Sequence, residues 1–393
     1  MVANKCADTP KVSVIIPCYN VEDYVESCVN SILEQTLENI EVICVNDGSS
    51  DFTVDVLLEI AKKDSRVSVL TQANAGQGAA RNEGVKCAKG EYLYFMDSDD
   101  LLEKDALEYL YNYSNENTLD VLYFDGTSFY ESEELEELKP SYKEYYIRKF
   151  DYSECKTGPD LLVEMKKNGE YRQSPCLQFI RHAYFLEKDL WYLQGIWFED
   201  NSFTFKTMIY AERVAHVPKA FFHRRVRENS VMTSDIKFVH TYGIFYNYID
   251  MLHVVQSMEF SQKHEIGAAK ILDGVLDQTR KKYRALEDEE KYKYQILDSV
   301  ERSLFFSFIV HSKLDVVELT NEKKELQKKW KEQKKEIDRL TKSEKKALKK
   351  VDALKKEKKA LEKEVNKLKN SKRYKLGSFF VKPFDWLRKI FGK

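Results

Sequence analysis

Two carboxylates separated by one residue follow an apolar, aromatic stretch of this chain. Asp97 and Asp99 come directly after residues 91–96, whose composition predicts a buried strand. Carboxylate oxygens are the ligands that Mg²⁺ and Mn²⁺ prefer, and these ions keep positions free for substrate phosphates. Because ligands of open α/β sheets bind at the carboxyl ends of strands, the pair is typical of a nucleotide–metal site. Acidic loops that bind no metal are common, so the pair alone is weak evidence.

Three strand ends upstream carry further side chains that suit a nucleotide. Pro17 is predicted to end the first strand, and Tyr19 offers a ring on which a base can stack. Asp47 can accept a hydrogen bond from the N–H of a uracil base. Asn74 begins a turn with small residues, which let a ligand approach the backbone, and Arg81 adds a planar fork of donors. Each piece alone is also an ordinary turn, but their shared position at strand ends favours one donor-binding site.

Alternating strands and helices between residues 12 and 125 must position these groups. The predicted strands are residues 12–16, 40–45, 67–70, 91–96 and 121–124, and the predicted helices are residues 21–34, 52–62 and 78–87. This alternation predicts an α/β fold with a mostly parallel sheet and helices on both faces. Residues 126–155 are predicted to be irregular, residues 160–234 to mix short elements, and residues 236–314 to be helical.

Residues 12–105 resemble the donor half of the family 2 glycosyltransferases, which have the GT-A fold. The resemblance is carried by residues 14–20, 45–49, 74–82 and 97–100. It implies a Rossmann-like GT-A domain over residues 1–235, with a nucleotide-sugar donor half at 10–125 and an acceptor half at 126–235. Contacts with the nucleoside are implied for Pro17, Tyr19, Asp47 and Arg81. Asp97 would lie near the ribose and metal-bound water, and Asp99 would bind the Mn²⁺ or Mg²⁺ that bridges the diphosphate.

Inverting members of this family carry a Glu-Asp pair whose aspartate is the base, and Glu199 and Asp200 fit that pattern. A carboxylate near the anomeric carbon can take the proton of the acceptor hydroxyl as it attacks. Its apolar neighbours Trp197, Phe198 and Phe203 would raise its pKa by desolvation. The alternative is the start of a helix with acidic residues in its first turn.

Residues 222–231 resemble the family's Tyr-Arg-x-Arg-x-x-Ser segment, which closes over the diphosphate. Arg225 and Arg227 would neutralise phosphate charge there. His223 stands where a tyrosine is common in the family. It is either an additional metal ligand or a histidine at the end of a strand, and the sequence favours neither.

The composition changes after a helical region at residues 236–315. One heptad register holds over residues 316–368, which predicts a coiled coil at 316–370 and a homo-oligomer. The alternative is a single solvated helix with Glu–Lys pairs four residues apart. Residues 321–393 carry 27 Lys and Arg against 11 Asp and Glu, whereas the rest of the chain carries 36 against 54. The basic C-terminal part therefore indicates an anionic partner.

Residues 371–393 form a basic, amphipathic tail. On a helix, one side would carry apolar residues, which is typical of a segment at a membrane interface; they are Phe384, Trp386, Leu387, Ile390 and Phe391. The alternative is a tail that docks on the protein's own core. The chain's first residues resemble no secretory signal, and no apolar run is long enough to span a membrane. These features predict a cytoplasmic protein, peripheral on the inner face of the cell membrane.

The resemblance implies a metal-dependent, inverting transferase of a hexosyl or N-acetylhexosaminyl group. The donor would be a UDP-sugar, and the acceptor a glycan or lipid-linked hydroxyl in capsule or lipooligosaccharide assembly. One alternative is a nucleotidyltransferase, which would need a glycine-rich loop and a lysine near the first strand that this sequence lacks. Another is an inactive GT-A scaffold. Nucleic acid is not an expected partner, because the lysines of the tail region alternate with glutamates.

Overall fold

A computed structural model describes residues 9–227, 236–310, 334–335, 339 and 350–367. The chain divides into two compact units, Met1–Ser312 and Lys313–Lys393. Within the second unit, residues 350–367 are helical. The predicted tail at 371–393 lies outside the described residues, as do residues 316–333, 336–338, 340–349 and 368–370 of the predicted coiled coil at 316–370.

One eight-stranded sheet organises the first unit. Its strands are β1 (Val12–Cys18), β2 (Ile40–Asn46), β3 (Val67–Thr71), β4 (Tyr92–Phe95), β5 (Leu101–Leu102), β6 (Val121–Tyr130), β7 (Gln178–Arg181) and β8 (Val214–Val226). They lie in the order β3-β2-β1-β4-β7-β6-β8-β5. The pairs β1–β2, β1–β4, β2–β3 and β6–β8 are parallel, and the other three are antiparallel. The predicted α/β fold with a mostly parallel sheet is confirmed.

Helices cover both faces of this sheet. They are α1 (Val25–Leu33), α2 (Thr53–Lys63), α3 (Gln77–Cys87), α4 (Ala106–Glu116), α5 (Glu133–Leu138), α6 (Gly158–Asn168), α7 (His182–Glu187), α8 (Asp200–Ile209), α9 (Phe238–Ser257), α10 (Gln262–Arg284), α11 (Asp288–Tyr292) and α12 (Ser299–Phe305). The last four confirm that the region after residue 236 is helical.

The side chains of each central strand point alternately into two cores. Ile15 and Phe95 join one apolar cluster, whereas Val14, Ile16 and Tyr94 join the other. This alternation follows from the two-residue period of a strand. The first cluster also contains buried residues of α9 and α10, so the helical region shares a core with the sheet.

Two local predictions were wrong. Pro17 does not end its strand, because β1 continues to Cys18 and Pro17 lies opposite Val45 of β2. Residues 126–155 are not irregular throughout: β6 extends to Tyr130 along β8, with bulges around Asp125, and α5 follows. This polar segment has only a weak local preference for a strand, but its pairing with the distant strand β8 stabilises the extended conformation.

Candidate active site

The carboxyl ends of β1, β2 and β4 lie side by side because these three strands are parallel neighbours. Tyr19 follows β1 and is about half exposed, Asp47 follows β2 and is buried, and Asp97 follows β4 and is half-buried. The predicted donor-site residues therefore meet at one edge of the sheet. This is the edge at which open α/β sheets bind ligands.

Asp47 fixes the loop that leads into α3. Its Oδ1 accepts hydrogen bonds from the side-chain amide of Gln72 (2.7 Å) and the main-chain N–H of Ala75 (2.8 Å), and its Oδ2 accepts from the N–H of Gly76 (2.9 Å). Asn74 donates its side-chain amide to the main-chain oxygen of Asp47 at 3.0 Å. Gly76 has φ +89°, which a residue with a side chain rarely adopts. Asp47 thus shapes the loop, and a contact of its carboxylate with a base stays a prediction.

Arg81 of α3 joins two predicted parts of the site that are far apart in sequence. Its Nη2 donates to Oδ1 of Asp97 at 2.8 Å, and its Nη1 donates to Oε1 of Glu199 at 2.6 Å. The guanidinium lies 5.2 Å from the centre of the Tyr192 ring, and the residue is 2% exposed. Burial opposes its charge, but Asp97, Tyr192 and Glu199 outweigh burial, so the pKa of Arg81 is raised. In this structure both Nη atoms of Arg81 donate hydrogen bonds to carboxylates of the protein itself.

The segment that carries Tyr192 and Glu199 is docked on α3. Asn82 donates to the main-chain oxygen of Tyr192 at 2.9 Å and accepts from its N–H at 3.0 Å. A Cβ on Gly78 would lie 2.6 Å from the main-chain oxygen of Leu193, so only glycine allows this approach. The sequence marked Asn82 only as part of a motif and gave no signal for Tyr192, because their contact depends on the tertiary fold.

Asp200 is the first residue of α8 and lies half-buried beside this ion pair. Burial raises the pKa of its carboxyl to about 7, and the charges of Glu199 and Asp97 add to the effect while Arg81 opposes it. A carboxyl group with this pKa is half ionised near neutral pH. It is therefore suited to accept a proton as a general base.

The acidic residues after β4 meet the arginines at the end of β8. Arg227 donates its Nε to Oδ2 of Asp99 at 2.7 Å, and Arg225 donates its Nε to the main-chain oxygen of Asp99 at 2.8 Å. Asp100 is buried and accepts from the N–H of Arg225 at 2.7 Å. Burial, followed by the charges of Asp99 and Asp97, raises the pKa of Asp100. The predicted phosphate-binding arginines and the acidic triplet thus form one cluster.

Two aromatic rings that the sequence did not single out support these arginines. The ring of Tyr24 lies 5.2 Å from the guanidinium of Arg225 and 5.0 Å from that of Arg227. The ring of Phe129 lies 4.7 Å from Arg225. Cation–π contacts of this kind hold a guanidinium in place while its N–H groups stay available for hydrogen bonds. No local motif marks Tyr24 or Phe129, since Tyr24 is the N-cap residue of α1 and Phe129 belongs to β6.

The predicted metal ligands are only partly brought together. Both ring nitrogens of His223 are engaged: Nε2 lies 2.9 Å from Oε2 of Glu103, and Nδ1 lies 2.9 Å from Oγ1 of Thr127. Across the part of the chain that the structure describes, no three His, Cys, Asp or Glu side chains form a group able to hold a metal ion. A role of His223 as a metal ligand therefore stays a prediction.

Asp97 and Asp99 do fit a divalent cation. Each uses one carboxylate oxygen for an arginine, which leaves its other oxygen, among the described residues, without a hydrogen bond to an arginine. Hard cations such as Mg²⁺ bind one or two protein carboxylates and complete their coordination with water and substrate phosphates. Two carboxylates without a third protein ligand are consistent with that arrangement.

Comparisons with known proteins agree with this geometry. The model of glycosyl transferase family 2 matches residues 13–177. The glycosyltransferase GlyG of Streptococcus pneumoniae is 30% identical over 237 residues, which cover 57% of this chain and 73% of GlyG. The Bacillus subtilis protein EpsH is 32% identical over 236 residues, and the chain spans 63% of its length.

Solved structures show the same fold. Residues 1–349 of TarS from S. aureus, crystallised in complex with UDP-GlcNAc, align with a TM-score of 0.54 and 21% identity. The alignment covers 76% of this chain and 79% of that one. At this level of identity the likeness establishes the shared fold alone.

Replacing Arg81 tests whether the buried ion pairs hold the site together. Arg81→Met leaves Glu199 buried without its cation, so we expect the free energy of unfolding to fall by about 3–5 kcal/mol in urea denaturation. Lys86→Met on the same helix removes only the exposed pair with Glu83 and should cost less than about 0.5 kcal/mol. Adding Glu199→Gln to Arg81→Met should recover part of the loss. Equal effects of the two single variants would contradict this role of Arg81.

Proposed function

This chain belongs to glycosyl transferase family 2, and we propose that it transfers a sugar from a nucleoside diphosphate sugar to a hydroxyl group of an acceptor. The observation that carries the proposal is the pair of ion pairs made by Arg81. They link Asp97, at the strand end where a donor would bind, to Glu199, whose neighbour Asp200 has a pKa of about 7. These ion pairs support a single site that contains Asp97, as the carboxylate on the donor side, and Asp200, as the proposed base.

The donor that this site suits is a UDP-sugar. The exposed ring of Tyr19 can stack on a base, and the loop held by Asp47 forms the adjacent wall. TarS, which shares this architecture, was crystallised with UDP-GlcNAc. We therefore propose a hexosyl or N-acetylhexosaminyl group as the sugar.

Asp97 and Asp99 would hold a Mn²⁺ or Mg²⁺ ion together with the donor diphosphate. When bound, such an ion stabilises the negative charge of the leaving nucleoside diphosphate. Arg227 is placed to exchange Asp99 for a phosphate oxygen, because its Nε already donates to an anionic oxygen at this point. Arg225, supported by Phe129, lies beside it and would act in the same way.

Asp200 would act as the base. Its ionised carboxylate takes the proton of the acceptor hydroxyl while the oxygen attacks the anomeric carbon from the side opposite the diphosphate. The new bond joins the acceptor oxygen to the anomeric carbon, the bond to the diphosphate oxygen breaks, and the configuration inverts. The raised pKa of Asp200 favours this activity over the alternative of an inactive scaffold.

The acceptor is proposed to be a glycan or lipid-linked hydroxyl in bacterial surface polysaccharide assembly, reached at the inner face of the cell membrane. No helix in the described part of the chain combines the length and apolar character needed to cross a membrane. We propose that association comes through the tail at residues 371–393, because its combination of basic and apolar residues is typical of a segment at a membrane interface. On the described helix at 350–367, apolar residues at heptad positions are exposed, namely Val351, Leu354, Leu361 and Val365. This stripe supports pairing with a second copy of the chain.

Asp200→Asn tests the assignment of the base. A thermal-shift screen of nucleotide sugars with and without Mn²⁺ first identifies the donor, since a ligand of the folded state raises the melting temperature. With that donor, we expect Asp200→Asn to retain binding and to lose transfer by about 10²–10⁴-fold. Asp277→Asn, the same change at an exposed position of α10, is the matched control. Unchanged transfer in Asp200→Asn would refute the assignment of Asp200 as the base.

The pH dependence of transfer follows from the same pKa. The base is active only when ionised, so kcat should rise with pH through about 7 and level off above it. At one pH unit below the midpoint, kcat should be about tenfold below its plateau, provided that the melting temperature shows a folded protein. A flat profile between about pH 5.5 and 8 would contradict a base with this pKa.

The C-terminal part can be tested in two full-length variants and one truncation. Leu354→Asp with Leu361→Asp should lower the oligomeric state measured by sedimentation, because charges at d positions disrupt a coiled coil. Lys356→Asp with Lys363→Asp, which places the same charges at two f positions on the side opposite the apolar stripe, is the control. Removal of residues 371–393 should abolish co-sedimentation with anionic vesicles. Oligomers that survive the leucine changes, or vesicle binding that survives the truncation, would refute the respective proposal.

A further inference from the structure

The segment that carries Glu199 and Asp200 is held only in part by its own local structure. Glu199 occupies the N-cap position of α8, and its side chain makes no capping hydrogen bond. Phe198 has φ +63°, a conformation that is uncommon for residues with a side chain. The N–H of Asn201 donates to the main-chain oxygen of Phe198 at 3.0 Å, but the N–H of Ser202, which a capping side chain would satisfy, needs a partner from elsewhere.

Helix α9 supplies the missing partner after the base. Asn247 is fully buried, and its Oδ1 accepts a hydrogen bond from the N–H of Ser202 at 3.0 Å. The Nδ2 of Asn247 donates to the main-chain oxygen of Gly243 at 2.8 Å, which fixes the orientation of its amide. The hydroxyl of Ser202 donates to Asp250, whose carboxylate also lies 3.1 Å from Nζ of Lys206. Asn247 thus caps α8 from another helix.

The same helix presses against the chain before the base. A Cβ on Gly243 would lie 2.3 Å from the main-chain oxygen and 2.9 Å from the nitrogen of Trp197, so the two backbones are in direct contact. The ring of His240 packs edge-on against the ring of Trp197, with centroids 4.6 Å apart. Helix α9 therefore holds the chain at Trp197, two residues before Glu199, and at Ser202, two residues after Asp200.

The holding residues His240, Gly243, Asn247 and Asp250 are spaced by three or four positions and share one face of α9. We propose that this face positions Asp200 for proton transfer, and that Gly243 and Asn247 are positioning residues of the reaction. The inference rests on the proposed function, and it extends the reaction machinery into the helical region. The residues proposed to bind the donor include Tyr19, Asp47, Asp97 and Asp99. None of the contacts described above for α9 involves these four residues.

Four full-length variants separate positioning from stability. Asn247→Ala removes the cap on Ser202, and Gly243→Ala forces Trp197 to move. Gly274→Ala is the matched glycine control, since its Cβ would meet only the end of Lys166 at 3.5 Å. Thr241→Val removes a buried hydrogen bond of α9 with Tyr294 without touching α8. The readouts are kcat, donor KM, nucleotide affinity by calorimetry, and hydrogen exchange of residues 198–202.

We expect Asn247→Ala and Gly243→Ala to lower kcat by about 10–100-fold, because a displacement near 1 Å at a reacting group costs this much. Donor KM and nucleotide affinity should stay within about twofold, and the amides of residues 198–202 should exchange faster. The two controls should leave kcat and this exchange unchanged, although Thr241→Val should lower the melting temperature. Asn247→Asp should restore most of kcat, because a protonated carboxyl can accept from the N–H of Ser202 and donate to the main-chain oxygen of Gly243, and burial favours that neutral form.

The inference is overturned if Asn247→Ala and Gly243→Ala keep the kcat of the wild type, or if donor affinity falls as much as kcat. It is also overturned if exchange at residues 198–202 is unchanged in both variants. A wild-type chain that transfers no sugar from any nucleotide donor would instead contradict the proposed function. In that case faster exchange in the two variants would still support the holding of this segment by α9.

Discussion

A buried guanidinium between two carboxylates is the constraint on which this site depends. Moving Arg81 out of water is costly, and the cost is offset only while Asp97 and Glu199 both stay within hydrogen-bonding distance. Since the three residues come from α3, from the end of β4 and from the segment before α8, their mutual attraction fixes three elements at once. The small residues of α3 permit this closeness, as the contact between Gly78 and Leu193 shows.

The same charge balance sets the state of the neighbouring carboxyl groups. Glu199 and Asp97 share the single positive charge of Arg81, whereas burial raises the pKa of Asp200 to about 7. Of the two adjacent acidic residues, Glu199 holds the arginine, and Asp200 is the one that we propose exchanges a proton. At the turn after β4, Asp99 is balanced by Arg227, and Asp100 by a main-chain N–H. The site is therefore an ordered network of charges before any ligand binds.

This network is supported from two sides that have different origins. The sheet supplies the donor side, where adjacent parallel strands bring Tyr19, Asp47 and Asp97 to one edge. The helical region supplies the base side, where α9 contacts the chain on both sides of Glu199 and Asp200. The apolar cluster shared by α9, α10 and one face of the sheet makes these two supports parts of one core. The contacts of α9 with the chain around Glu199 and Asp200 are made at Trp197 and Ser202, whereas the link from this segment to the donor side runs through Arg81.

The sequence by itself determined the alternation of strands and helices over residues 12–125 and the acidic, arginine and Glu-Asp motifs, because each depends on local periodicity or on neighbouring residues. It could not determine that β6 continues along β8, that Arg81 turns to the protein's own carboxylates, or that both ring nitrogens of His223 are engaged. Tyr24, Tyr192 and Asn247 carry no local signal at all. Their roles arise from contacts between residues as far apart as Asn82 and Tyr192, and only the tertiary structure brings such residues together. Periodicity is a property of neighbours in the chain, whereas the balance of buried charges is a property of neighbours in space.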